Sequence, residues 1–469
     1  MYNMIMFQNN SPWLHQLKST RPIDTLTEDI KTDVAIVGAG IAGVMTSYFI
    51  LTRTDKQVAL IEGGRVAHGA TGHNAGQLVS EFEREFHSIV QEYGLRKAAQ
   101  AEEQVRSAWL LIDEVYEKAK LTTPMSTFMG YVGYATIERV LEEMRNNALM
   151  IQAGIPVYPI YVADTCPGLD TIPPIYRDFY TVIPHSDILS LLETEDTQYI
   201  AAISTKKGCV NGALLVEELT GYLLATYKGR FQLAEQTHIH KVILEKDFGV
   251  LEAEKNSITA DRIILCTNGF AKFHIKNNAG KDIDTSFHQN VKGSVGYMSG
   301  YLEELNRPPT ALAYFDNEQI QKGHAEDVFH EPPYFYMTRR PYEIEKDERH
   351  NLICAGGPEI LIEQPHVYSH RDEFSEEMTK KIDQFLKKTH KHAPKDNLTY
   401  RFLWHGLLGY TKSGIRLIGF EPKNPVLMYN LGCNGVGILP SIYGGKRIAQ
   451  LIDGEKLESS IFDPKDYDA

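Results

Sequence analysis

At 469 residues the chain exceeds what one compact core supports and suits two interlocked domains. With 43% hydrophobic and 23% charged residues it is neither a disordered nor a fibrous polypeptide. Its formal net charge of −13 repels a phosphate backbone, which argues against nucleic acid as a partner.

The five cysteines, Cys166, Cys209, Cys266, Cys354 and Cys433, are widely spread and form no C-x-x-C pair, so reduced thiols and a cytoplasmic setting are expected. Histidines such as His238, His240, His390 and His392 lack metal-site spacing, and no metal is expected. No secretory leader or lipidation signal is read in residues 1–33. No window reaches the roughly eighteen uninterrupted apolar residues of a membrane span.

The first thirty residues are polar, carry Pro12 and Pro22, and are expected to be an extended lead-in. Val34-Ala-Ile-Val37 is a short apolar run, hence a buried strand; residues 41–51 read as a helix and Val58-Ala-Leu-Ile61 as a second buried strand. Strand, helix and strand together have the size of a βαβ unit. Gly38-Ala39-Gly40-Ile41-Ala42-Gly43 follows the first strand and opens the helix, and Glu62 ends the second strand. Gly38 permits the tight turn, Gly40 lets the backbone approach a pyrophosphate, and Gly43 lets helix and strand pack closely. The helix N-terminus offers free N–H groups to phosphate, and Glu62 an acceptor to the adenosine ribose hydroxyls. An acid there disfavours a 2′-phosphate. This pattern alone admits either FAD or NAD.

Further on, residues 94–120 read as one long amphipathic helix. Residues 121–210 show little periodicity and are assigned to a second domain on an antiparallel sheet. Asn211 is a plausible N-cap for a helix over 213–227. Residues 237–245 and 250–254 alternate like paired strands, and Ile263-Ile-Leu-Cys266 is a third buried strand ending in Thr267-Asn268-Gly269. Residues 285–365 are strand-rich, 373–388 an amphipathic helix, 426–429 a strand, and 437–452 a helix entered through a glycine-rich loop.

A resemblance separates the two cofactors. Glu62-Gly63-Gly-Arg65 followed by Gly69-Ala-Thr71-Gly-His73-Asn74-Ala75-Gly76 resembles the flavin-contacting stretch of the D-amino-acid oxidase and glycine oxidase family, with His73 in place of the commoner arginine. Leu431-Gly-Cys-Asn-Gly435-Val436-Gly437-Ile438 is similar to that family's closing loop, whose helix N-terminus points at the flavin. Trp404-His405-Gly406 through Ile418-Gly419 resembles a further family segment, with Ser413 and Arg416 replacing the usual Asp and Pro. Ser11-Pro-Trp13 is similar to the amine-oxidising branch that includes γ-glutamylputrescine oxidase. The Gly-Asp pair with which flavin hydroxylases close is missing from the sequence.

The resemblance implies an α/β protein with a Rossmann-like FAD-binding domain around a central parallel sheet, and a substrate domain on a mixed or antiparallel sheet. The expected boundaries are 1–120, 205–285 and 400–469 for the first and 121–204 and 286–399 for the second. It also implies non-covalent FAD, held by the residues named above with Gln77, Val242, Thr267, Asn268 and Gly269. The activity implied is oxidation of a small amine or amino acid, with hydride transfer to flavin N5, hydrolysis of the imine, and electrons passed to oxygen or another acceptor.

The aromatic strand Pro333-Tyr-Phe-Tyr336-Met-Thr-Arg339-Arg340 resembles the one that borders the family's substrate cavity. Tyr336 is expected to line the site and Arg339 to face a substrate carboxylate. Lys292 and His405 are candidate contacts to flavin, oxygen or substrate. Two alternatives stay open: an FAD-dependent dehydrogenase of another small substrate, such as a hydroxy acid, and a non-catalytic flavoprotein subunit.

Overall fold

A computed structural model describes residues 9–18, 21–315, 334–362, 368–396 and 398–466. Pro333 of the aromatic segment, parts of the lead-in (1–8, 19–20) and parts of the strand-rich stretch (316–333, 363–365) lie outside the described residues.

Two sheets organise the chain. The centre of the first, nine-stranded sheet is parallel: Phe231–Ala234, Val58–Ile61, Ile30–Val37, Ser257–Leu265 and Leu427–Leu431 lie side by side in that order. Parallel strands covered on both faces need continuous apolar runs, which is what 34–37 and 58–61 supply. The expected hairpin is present as Ile239–Leu244 paired antiparallel with Gly249–Ala253. The second, ten-stranded sheet is mixed and mainly antiparallel. It runs Phe402–Thr411, Val291–Glu303, Glu348–Ile362, Phe335–Glu345, Thr310–Phe315, Met125–Tyr134, Ala201–Val210, Ile160–Ala163 and Tyr180–Ile183, with the two-residue strand Gln77–Leu78 on Ala201–Val210.

Against the parallel sheet, the helix Ile41–Arg53 that follows the first glycine turn packs on Ile438–Ile452, which follows the last. Their approach is very close: a Cβ on Gly445 would lie 2.9 Å from the backbone nitrogen of Thr46 and 3.0 Å from the carbonyl carbon of Met45.

Several local expectations need correction. The lead-in is not wholly extended. Ser11 caps a short helix, Pro12–Gln16, by accepting from Trp13 N–H, with Pro12 where a missing N–H costs nothing. Residues 94–120 form two helices, Leu95–Arg106 and Ala108–Ala119. At the break the Ser107 hydroxyl donates back to the Gln104 carbonyl at 2.7 Å, a bond that competes with the helix ladder. Within 121–210 lies an unexpected 17-residue helix, Ile137–Ala153. Asn211 does cap its helix, Gly212–Thr226, accepting from the N–H groups of Ala213 and Leu214.

Candidate functional site

One cavity of about 1810 Å³ runs along the carboxyl ends of the parallel strands and under the second sheet. At one end Gly38 turns the chain with φ +103°, where a Cβ would meet the Cys266 carbonyl oxygen at 2.8 Å. Gly43 lies under that turn, and its Cβ would overlap the Gly38 carbonyl oxygen at 1.9 Å, so the helix sits this close only with glycine. Glu62 binds the turn from the next strand: Ala39 N–H donates to Oε2 at 2.8 Å and Gly64 N–H to Oε1 at 2.7 Å. Burial pushes this carboxyl above its usual range, with the two N–H groups working in the opposite direction. Gly38, Gly40, Ile41, Ala42, Glu62 and Gly63 all line the cavity, while Ala39 and Gly43 act from behind the wall.

The loop 69–77 crosses the cavity next. Thr71 accepts from Ile41 N–H at 2.9 Å, tying this loop to the first glycine turn. Asn74 braces the loop internally, donating to the carbonyls of Ala70 and Thr71 and accepting from Gly76 N–H at 2.7 Å. Its own carbonyl receives two indole N–H groups, Trp13 at 2.5 Å and Trp404 at 3.2 Å. The two rings meet edge to face, 6.4 Å apart. Trp13 also packs against Gly76, where a Cβ would lie 2.7 Å from the ring. Both tryptophan motifs therefore buttress the loop from outside. His73 faces the cavity, stacks on His370 at 4.5 Å, and is lowered to about 4 by burial.

The last glycine turn closes the same cavity. Gly435, Val436, Gly437 and Ile438 line it, as do Thr267, Asn268, Asn74, Ala75, Gly76 and Gln77. Asn268 links two of these segments, its Oδ1 accepting from Cys433 N–H at 2.9 Å. Gly269 lies behind the wall, where a Cβ would sit 2.5 Å from the Leu408 carbonyl oxygen. Val242 is fully buried in the sheet, and the cavity is lined instead by its neighbours 237–240. Arg65 is off the wall as well.

Of the four residues read as catalytic, only Tyr336 lines the cavity. Arg339 does not face it: its guanidinium is 1% exposed and forks onto Glu193, with two bonds of 2.6 Å, while Nε donates to the Pro308 carbonyl. Lys292 is half-buried on its strand opposite Tyr410, off the wall. His405 stands one layer back, its Nδ1 3.1 Å from the hydroxyl of Tyr368, and Tyr368 is what lines the cavity. The departures Ser413 and Arg416 have structural partners: the Ser413 carbonyl accepts from Arg84, and Arg416 donates to Asn430.

Sequence reasoning missed the acids of the cavity and the phenols of Tyr368 and Tyr410. Glu83 accepts from the Tyr334 hydroxyl at 2.9 Å, and Glu359 from the Tyr410 hydroxyl at 3.0 Å. Burial pushes Glu83 up to about 7 and raises Glu359. Glu143, raised by burial to about 8, lines the far end with Tyr134 and Asn146. The one signal for Glu83 is its place, seven residues beyond Gly76 on the stretch leaving the flavin-like loop.

The wall suits an FAD. Gly40 leaves open a space where a Cβ would press on Thr71 Oγ1 at 2.9 Å, each Glu62 oxygen keeps acceptor capacity, and the buried Thr267 hydroxyl has no partner among the described residues. The volume also exceeds that of a typical small-ligand pocket, leaving room for a substrate beside the cofactor.

Comparisons with known proteins agree. A family model described as FAD dependent oxidoreductase (DAO) matches residues 33–451. Gamma-glutamylputrescine oxidoreductase of Escherichia coli is 39% identical over 77 residues, 16% of this chain and 18% of that protein. The probable oxidoreductase OrdL of Haemophilus influenzae is 29% identical over 119 residues, 25% of this chain and 27% of that protein. The chain thus matches less than a third of the length of these curated relatives. Among solved structures, glycine oxidase from Geobacillus kaustophilus superposes with a TM-score of 0.65 at 15% identity, covering 92% of this chain and 98% of that one. L-proline dehydrogenase from P. horikoshii gives 0.63 at 16%, covering 93% and 97%. These structures share the fold. Because the family match runs from the first parallel strand almost to the end of the last helix, the chain belongs to the DAO family and is an FAD-dependent oxidoreductase.

Proposed function

We propose that this chain oxidises the carbon–nitrogen bond of a small amine or amino acid, releasing an imine that hydrolyses in water. The observation that carries this reading is the chamber of phenols and carboxyls, with Tyr334, Tyr336 and Glu83, that continues the cavity beyond the two glycine turns. An FAD held there would supply the redox chemistry, as the hydride acceptor for the carbon–hydrogen bond next to nitrogen. Glu62 would hold the ribose, the turns at 38–43 and 435–438 the two ends of the cofactor, and residues 71–77 with 267–269 its middle. Tyr336 would border the substrate, while Lys292, His405 and Arg339 support the walls. Aromatic side chains would exclude water around the reacting nitrogen, which must have lost its proton before the neighbouring carbon–hydrogen bond breaks. The relatives named for γ-glutamylputrescine, glycine and L-proline are named for nitrogen compounds, which supports the same reading.

The FAD would be held without a covalent bond; Cys354 is fully buried within the second sheet, while His73 and Cys433 line the cavity. We assign segments 1–120, 205–285 and 400–469, which carry the parallel strands, to the FAD-binding domain although Gln77–Leu78 and Phe402–Thr411 pair into the second sheet, the remainder to the substrate domain, and the protein to the cytoplasm, where its five free cysteines stay reduced.

The test is anaerobic titration of the yellow protein with a panel of amines and amino acids. Bleaching by at least one compound is expected, followed by reoxidation with oxygen or a dye acceptor, and acid precipitation should release the flavin into the supernatant. A flavin that no amine or amino acid bleaches, but a hydroxy acid does, refutes the reading.

A further inference from the structure

The part of the cavity beside the last glycine turn is lined by acids and phenols. Glu83 lies against that turn: a Cβ on Gly435 would fall 2.6 Å from its Cγ and 2.7 Å from Oε1. Tyr334 donates to Glu83, and Tyr410 to Glu359. The rings of Tyr334 and Tyr336 stand 5.8 Å apart, so carboxyl oxygens and aromatic faces share one chamber. Both kinds of surface attract an ammonium group.

The strand Ala201–Val210 contributes a third side. Alternation along it turns Ile203, Thr205 and Lys207 towards the cavity. Thr205 is 3% exposed, and its hydroxyl has no hydrogen-bond partner among the described residues. A buried hydroxyl left unsatisfied on a cavity wall is a vacant contact for a ligand.

Three guanidinium groups among the described residues are engaged, while Lys207, Lys272, Arg371 and Lys381 also line the cavity. Arg339 is taken by Glu193, Arg84 donates to Glu92 and the Ser413 carbonyl, and Arg416 is bound to Asn430. Lys207 is the cation whose charge acts on Glu83, and it is opposed there by Glu359 and Glu81. At Glu83 and Glu359 an α-amino acid would set its carboxylate beside two carboxyls with Lys207 as the cation facing Glu83, whereas an alkylammonium meets both carboxyls and the phenol faces.

We infer that Glu83 and Glu359 hold the substrate nitrogen as an ammonium, that Glu83 takes its proton, and that the substrate is an alkylamine or diamine with no carboxylate beside that nitrogen. This rests on the amine-oxidising reading above. In the step assigned to Glu83 an N–H bond of the ammonium breaks and an O–H bond forms on the carboxyl. The electron pair stays on nitrogen, and no oxidant takes part. The groups facing Glu83 set when it can act. Burial raises it to about 7, Tyr334 donating from Phe335–Glu345's leading end lowers it, Glu359 on the neighbouring strand raises it, Lys207 lowers it and Glu81 raises it. Above that pH it is a carboxylate ready to accept; below it the acceptor is already filled.

The experiment titrates the FAD-loaded enzyme anaerobically with n-butylamine, 1,4-diaminobutane, glycine and D-alanine. Binding is followed by the shift of the flavin spectrum, and turnover by bleaching. The amines are expected to act at concentrations at least about tenfold lower than the amino acids. The amine kcat/KM should fall as pH drops through about 7 in the wild type. Glu83→Gln should abolish that acid limb while the protein stays yellow, and Glu83→Asp should restore it. Glu359→Gln should keep the limb and weaken amine binding about tenfold. Amino acids that bind as tightly as the amines overturn the inference, even if neither variant folds, and so does an acid limb unchanged in Glu83→Gln. If the amino acids alone bleach the flavin, the inference falls while carbon–nitrogen oxidation stands. If none of the four shifts or bleaches it, the inference falls, and carbon–nitrogen oxidation falls with it when a hydroxy acid bleaches the flavin instead.

Discussion

Glu62 has two N–H donors, one for each carboxylate oxygen, and glutamine cannot satisfy both. One end of an amide accepts, but the other would turn an NH₂ group against the N–H of Ala39 or Gly64. Leaving such a buried pair unsatisfied costs about 1–3 kcal/mol. The Glu62→Gln variant is therefore expected to unfold at lower temperature than the wild type, even without FAD. It should also bind FAD at least about tenfold more weakly, because the ribose acceptor loses its charge. Calorimetry and flavin fluorescence titration check the two effects, and an unchanged affinity would remove Glu62 from the cofactor site. Residues of this kind were legible in the sequence because their task is local: glycine spacing and an acid at a strand end describe one turn. Arg339 was not. Its partner Glu193 lies 146 positions earlier, on a residue with φ +48°, and nothing near either residue marks the pairing. Glu83 and Glu359 were hidden for the same reason, one standing on the stretch after the 69–77 loop and the other on the strand Glu348–Ile362, far apart in the chain.

Among the elements, those that bury a continuous apolar face were read correctly, such as the strands at 34–37 and 58–61 and the final helix. Ile137–Ala153 escaped because its buried face carries two asparagines among Val140, Met144 and Met150. Asn147 exchanges bonds with the backbone of Tyr158, and Asn146 bonds Glu85, Glu143 and His87, so polar residues sit where periodicity demands apolar ones. The lead-in helix was read as extended because five residues are too few to show a period. Yet that helix fixes the loop 69–77, since Trp13 is fully buried and bonds the Asn74 carbonyl. Truncation to alanine removes the whole indole and should cost about 3–5 kcal/mol. Trp13→Ala is expected to lower the unfolding midpoint and to loosen FAD more than a distant substitution of equal cost. A variant that is destabilised but binds FAD with wild-type affinity would show that the buttress does not reach the cofactor.

At the scale of the whole molecule, the site exists because the two ends of the chain are pressed together. The first and last glycine turns are carried by Ile41–Arg53 and Ile438–Ile452, and these helices touch backbone to backbone at Gly445. A polar core locks the junction: Asn430 donates to Thr46 Oγ1 and to the Ser441 carbonyl, and accepts from Arg416. Valine at Gly445 must push the helices apart, since backbone atoms at 2.9–3.1 Å cannot yield as a side chain would. Overpacking of this sort costs about 1–3 kcal/mol, and here it also separates the two turns proposed to share the cofactor. FAD at about a hundred times its dissociation constant should stabilise the wild type by about 2.7 kcal/mol, seen as a rise in unfolding temperature. In Gly445→Val that rise should nearly vanish at the same FAD concentration. The control is Gly221→Ala on the exposed side of Gly212–Thr226, where a Cβ meets nothing within 4 Å; its stability should hold or improve, with the FAD effect intact. A full FAD-linked rise in Gly445→Val would mean that the cofactor is held by one end of the chain alone.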